Sequence, residues 1–197
     1  NFSEYTRRFG WFSADDPDAA PGTPLHPGHR ALTHAVNGFF KNGGTKCFVV
    51  RIKSDAELEK ALRVIESIDA VAIVAAPGLP ATQTVWGALT DHCSKCEDRF
   101  AVLDSAAKVE NAQGELDVNL LSYDNPNNEL PDRNKNAAFY FPYIKVNDPA
   151  KQLQDQDLVR GVELKARGAV YVAPSGHIAG IYSRTDEERG VHKAPAN

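Results

Sequence analysis

Methionine is missing from all 197 residues, position 1 included. A reading frame opens with that residue, so the sequence is expected to be processed or an internal piece of a longer chain. Cysteine is scarce. Three of them suit a reducing compartment better than a disulfide framework. No apolar run approaches the roughly 18 residues of a membrane span, and no signal peptide opens the sequence. An excess of basic charge is also lacking. Lys and Arg number 22 against 26 Asp and Glu, a net charge of −4, which argues against a nucleic-acid binder that must meet phosphates with a basic face. No repeat or low-complexity tract interrupts the chain. The apolar share of 42% is that of a soluble globular protein with a sizeable core.

The pattern along the chain is alternating. "NFSEYTRRFG" spaces Phe2, Tyr5 and Phe9 by three and four residues, which predicts a short amphipathic helix stopped by Gly10. The Pro-, Asp- and Gly-rich stretch 12–30 predicts an exposed loop. Residues 31–42 predict a helix ended by Gly43-Gly44, and "TKCFVVRI" a strand buried on both faces around Phe48 to Val50. Ser54 and Glu57 suggest a capping box for the helix "SDAELEKALRVIESI". "AVAIVAAPG" is expected to be a central parallel strand, "ATQTVWGALTDHCSK" a helix, and "RFAVLDS" a third buried strand. Residues 105–136, polar and rich in Asn, predict a long loop holding one short helix at most. "AAFYFPYIKV" predicts a fourth strand, with Pro142 marking an edge or a bulge. "QLQDQDLVRGVELKA" is left as helix or loop, and "GAVYVAPSG" gives a fifth strand and its turn. The expected fold class is α/β: a mostly parallel sheet flanked by helices, in one domain over 1–197.

Several residue groups invite a chemical reading. Ser175 sits in "APSGH", at a strand-to-helix turn. The nucleophile elbow needs G-x-S-x-G; here its first glycine is missing and Pro174 restricts the turn. Ser175 is therefore expected to be a structural helix cap. Asp104 ends a buried strand, and with Ser175 and one of six histidines it supplies the residue types of a triad, which only geometry can assemble. His177, two residues on, is expected to point away from Ser175. His92, Cys93 and Cys96 hold a lone CxxC, half of a structural zinc set, so no metal site is assigned. Asn42-Gly43-Gly44-Thr45-Lys46 has phosphate-loop composition in the wrong order: the glycines follow a helix and precede a strand, so they cap carbonyls rather than present N–H groups. No cofactor is assigned either. In "SRTDEERG", Arg184, Asp186, Glu187 and Arg189 form a candidate structural or inter-subunit salt-bridge network. The alternative is a solvated helix end. The small residues Gly176, Ala179 and Gly180 are expected to bring this helix close to the sheet.

Three segments carry a resemblance to a known family. "AVNGFFKNGGTKCFVVRI" is similar to the helix, double glycine and strand of contractile phage-tail sheath proteins. "AAFYFPYIKVNDP" resembles their aromatic strand running into Asp-Pro. "YVAPSGHIAGIYSRTDEERGVHKAPAN" is similar to the family's most recognisable segment, and "YTRRFG" fits the start of the same domain. Ala173 stands where the family usually has proline, and His192 where tryptophan is common; the 105–136 loop does not align.

The family takes in myophage tails, R-type bacteriocins and extracellular contractile injection systems. The resemblance implies a subtilisin-like sheath domain that is not an enzyme. It implies a structural subunit that stacks as hexameric rings around an inner tube and contracts to drive that tube through a target envelope. The implied partners are other sheath subunits, the inner tube protein, and baseplate and terminator proteins, with no nucleic acid and no membrane insertion. The implied location is a phage tail or released contractile particle assembled in the bacterial cytoplasm. The family's terminal arms and its C-terminal domain are not matched within 1–197. The competing class is a serine hydrolase on a related α/β fold using Ser175. A third is a small-molecule-binding module with a pocket at the strand ends.

Overall fold

In the computed structural model, residues 1–12, 29–52, 54–149 and 169–193 are described. Residues 13–28 of the loop expected over 12–30, the "QLQDQDLVRGVELKA" stretch and residues 194–197 lie outside them. Helix α1 spans Phe2–Phe9 and closes at Gly10, whose φ of 99° suits glycine. Tyr5 is its buried residue and its hydroxyl pairs with Thr33 at 3.0 Å on the next helix. That helix, α2 (His29–Lys41), ends where the Gly43 and Gly44 N–H groups bond back to the carbonyls of Phe40 and Phe39.

The middle of the chain alternates as expected. Helix α3 covers Leu58–Glu66 after a short 3₁₀ turn, and strand β1 covers Ile73–Val74. Helix α4 covers Gln83–Cys96 and strand β2 Phe100–Asp104. Strand β3 is Ala137–Tyr140. The order β1-β2-β3 is parallel throughout, with Ile73 opposite Phe100 and Asp104 opposite Tyr140. The α/β class with a parallel sheet and flanking helices is what the sequence predicts. Leu62, Val74, Val85, Trp86, Leu89, Cys93, Ala101 and Leu103 form one buried cluster between these helices and the sheet.

Four local expectations are corrected. Residues 45–52 form neither helix nor strand and join no ladder among the described residues, and Phe48 is 39% exposed rather than buried. Ser54 makes no side-chain cap bond; α3 starts later, at Leu58. "AAFYFPYIKV" is two strands, not one. β3 joins the parallel sheet, while β4 (Ile144–Asn147) pairs antiparallel with β5 (Ala169–Val172) in a separate ribbon. Pro142, in a cis peptide with Phe141, lies at the break; it follows β3, an edge strand as expected, and marks a change of sheet rather than a bulge. Finally, α5 (Ser175–Arg189) meets the sheet at the end of β2, through Ser175 and Asp104, but its glycines 176 and 180 press against the backbone of α2. The 105–136 stretch matches its expectation: a 3₁₀ turn at Val118–Leu121 and an isolated bridge between Glu110 and Leu116 are its regular structure.

Candidate functional site

The carboxyl end of β2 meets the start of α5, and this is where the sequence places its most reactive-looking residues. Ser175 is fully buried. Its N–H donates to Asp104 Oδ1 at 2.8 Å and its hydroxyl to Asp104 Oδ2 at 2.6 Å. Both carboxylate oxygens are thus engaged by one residue. The Trp86 indole N–H donates to the Asp104 carbonyl at 3.0 Å, holding the strand end from α4. Beside it the Tyr140 and Tyr182 hydroxyls bond to each other, tying β3 to α5.

This arrangement places the cap differently from the sequence expectation. α5 begins at Ser175 itself, with Pro174 in the cap position and no side-chain cap bond. The acceptor that satisfies the first helical N–H comes from Asp104, 71 residues earlier in the chain. Burial pushes the Asp104 carboxyl up to about 6, against the two Ser175 bonds that pull it down. A nucleophilic serine needs a base that takes its proton. Here the hydroxyl faces a carboxylate directly. His177 does not stand between them: its Nδ1 lies 3.0 Å from the Asn42 side-chain nitrogen, and its ring sits over Gly38 of α2. Burial holds that histidine below its usual range, with Lys41 adding to the effect. So Asp104 and Ser175 come together as an anchor, and among the described residues no histidine bonds to the Ser175 hydroxyl.

The same helix shows why its small residues matter. A Cβ on Gly176 would collide with the backbone of Ala35, and one on Gly180 with the backbone of Phe39. Positions 176 and 180 on α5, and 35 and 39 on α2, are each four apart and share a helix face. The two helices therefore meet backbone to backbone. Past Thr185 the helix leaves the core. Arg184, Asp186, Glu187 and Arg189 are all exposed. Among the described residues no ion pair joins Arg184, Asp186 or Glu187 to a partner.

The CxxC segment is built for structure. Cys93 is completely buried, and burial pushes its thiol up to about 11, too high for a thiolate at neutral pH. Among the described residues no three His, Cys, Asp or Glu side chains gather as metal ligands. The His92 Nε2 instead faces Cys96 Sγ at 3.8 Å and the Arg99 guanidinium at 3.1 Å. Arg99 is the residue the sequence reading missed. Its guanidinium is buried and donates to the carbonyls of Ile65, Glu66 and Ile68 at 3.0–3.2 Å. It thereby closes the open carbonyl end of α3. An arginine directly ahead of an apolar strand is the one signal that points to it.

No family model matches the chain, and no curated protein matches it. Solved structures do. The chain resembles one in the cryo-EM baseplate of the anti-feeding prophage, six-fold symmetrised, with a TM-score of 0.56 at 23% identity over 85% of this chain and 37% of that one. It resembles the helical sheath of the anti-feeding prophage in the contracted state, with a TM-score of 0.54 at 23% identity over 85% and 39%. It also resembles the sheath complex of an extracellular contractile injection system, PVC, in the contracted state, with a TM-score of 0.55 at 25% identity over 85% and 36%. The chain thus shares their fold and spans well under half the length of each.

Proposed function

We propose that residues 1–197 are the core domain of a contractile sheath subunit, which stacks as hexameric rings around an inner tube and shortens to drive that tube through a target envelope. The observation that carries this reading is the shared fold over 85% of the chain with chains of two contractile assemblies. The work of contraction is then stored in subunit packing that has two stable arrangements. Its partners are further sheath copies, the tube protein, and baseplate and terminator proteins, in a phage tail or a released particle assembled in the bacterial cytoplasm. The exposed Arg184, Asp186, Glu187 and Arg189 end of α5 pairs with charges on a neighbouring subunit. Buried Ser175 acts as an anchor in the same reading, not as a nucleophile.

The test is negative-stain electron microscopy of the full-length parent protein, alone and with its tube partner. Striated tubes are the expected result, and their ring spacing reports extended or contracted packing. Compact, monodisperse particles in both preparations would overturn the proposal. A fluorophosphonate probe separates the hydrolase reading: labelling that disappears in Ser175→Ala would support an enzyme.

A further inference from the structure

We propose that the parallel sheet lacks one strand among the described residues, and that a strand from elsewhere in the same polypeptide fills the slot between residues 46–52 and β1. The slot has a chain segment with an unpaired edge on each side. Residues 45–52 include the strand-forming run Cys47-Phe48-Val49-Val50, yet make no backbone hydrogen bond to any other described residue. On the far side, strand β1 within the apolar run Val71 to Ala76 pairs with β2 alone; the Phe100 N–H reaches the Ala72 carbonyl on that same side, and nothing among the described residues pairs with its other edge. Cys47, Val49, Val50 and Ile52 are half-buried, and backbone N–H and C=O groups shielded from water without partners cost about 1–3 kcal/mol each. Two facing rows of them are what removal of a strand leaves behind.

Between the rows lies a cavity of about 400 Å³. Both segments line it, and Ala35 and Ala179 from α2 and α5 wall it together with Leu62 and Leu89 from α3 and α4. The lining is apolar, so the occupant is an extended run of apolar, β-branched residues. Seven residues, at about 3.3 Å each, would follow residues 46–52 along their length.

Topology says where this strand comes from. With the slot filled, the order becomes 45–52, new strand, β1, β2, β3. That is the doubly wound order 2-1-3-4-5, in which the strand between the second and third elements belongs to the same chain and comes first in it. Residues 13–28, rich in Pro, Asp and Gly, hold no apolar β-branched run to serve. The solved chains of this fold are more than twice as long as the part matched here, so they have chain to spare. The inference does not depend on the sheath function.

The test uses the full-length parent polypeptide, diluted until sedimentation shows monomers, with hydrogen exchange read at Cys47–Arg51 and at Ile73 and Ala75. The expected result is exchange slowed about 100-fold or more relative to the exposed Ala107 and Lys108, approaching the rate of Val102 in β2. Turn-like rates would overturn the proposal. Protection that appears only in assembled particles would also overturn it, because the strand would then come from a neighbouring copy. A Val49→Cys/Ile73→Cys double variant of the same polypeptide guards against a slot that simply closes. Strands either side of an intervening one lie about 10 Å apart, beyond the reach of a disulfide. No bridge is expected, and ready bridging would refute the inserted strand.

Discussion

The two halves of α5 obey different rules. From Ser175 to Gly180 the helix is small, nearly uncharged and pressed against α2, with its first N–H held by Asp104. From Arg184 to Arg189 it is charged and, apart from Thr185, exposed. One half has its requirements met inside the chain; the other presents Arg184, Asp186 and Glu187 to solvent or to another molecule. A change in the first half should therefore alter folding, and a change in the second should alter association while leaving the fold alone.

The largest effect is expected at Gly176. Its Cβ would meet the Ala35 backbone, which cannot rotate away as a side chain can. Gly176→Leu should destabilise the chain by about 3 kcal/mol or more, since the helix pair must separate to admit it. Urea unfolding at neutral pH checks this. A loss under 1 kcal/mol would show that α2 and α5 do not meet at their backbones.

Next in size is the anchor. Asp104→Ala leaves the Ser175 N–H and hydroxyl buried without acceptors, at a cost of about 2–3 kcal/mol. Ser175→Ala removes one donor and should cost about half as much, again by urea unfolding.

Charge at the same site gives a smaller, pH-dependent effect. The Asp104 carboxyl rises from 3.8 to about 6 in the folded chain. The folded state then binds the proton more tightly than the unfolded one, so this group's contribution to stability grows as pH falls from about 6 to about 4. The full span is at most about 3 kcal/mol, and the positive end of α5, which favours the anion, works to reduce it. Nearby Tyr143 remains neutral throughout, its hydroxyl raised by burial first and then by Asp104. Asp104→Asn keeps an acceptor for the Ser175 N–H and removes the charge. It should flatten the slope between pH 4.5 and 7.5, and at pH 7.5 match or exceed the parent in stability. An unchanged slope would mean that other groups set it.

Much of this was legible in the sequence, and the gaps share a cause. Gly10 and Gly43 announced two helix ends because a left-handed cap is a local requirement. The apolar runs around Val74 and Val102 announced parallel strands because both faces must be covered. Ser175 was recognised as structural because Pro174 spoils the elbow. Its acceptor was not, because Asp104 lies far away in sequence, and no spacing rule reports a contact of that range. Arg99 went unnoticed for the same reason: the carbonyls it closes belong to α3. The strand expected at 45–52 has the right residues, but strand pairing needs a neighbour, and the neighbour is not specified by the strand's own sequence.

The smallest effect on folding, and the one that separates the halves of α5 most cleanly, is expected at Glu187. The side chain is exposed and forms no ion pair among the described residues. Glu187→Lys should shift the stability of the dispersed chain by no more than about 0.5 kcal/mol. If α5 docks its charged end on a neighbouring subunit, the same change places like charge against like charge. Tubes of the full-length variant should then form poorly at low salt. They should recover partly as salt rises, because screening over about 10 Å at 0.1 M weakens the repulsion. Tubes that form as well as the parent's at every salt concentration would assign this end of the helix to solvent. The contrast within α5 would then be between a packed half and a bare one, and the inter-subunit contact would have to be sought elsewhere on the domain.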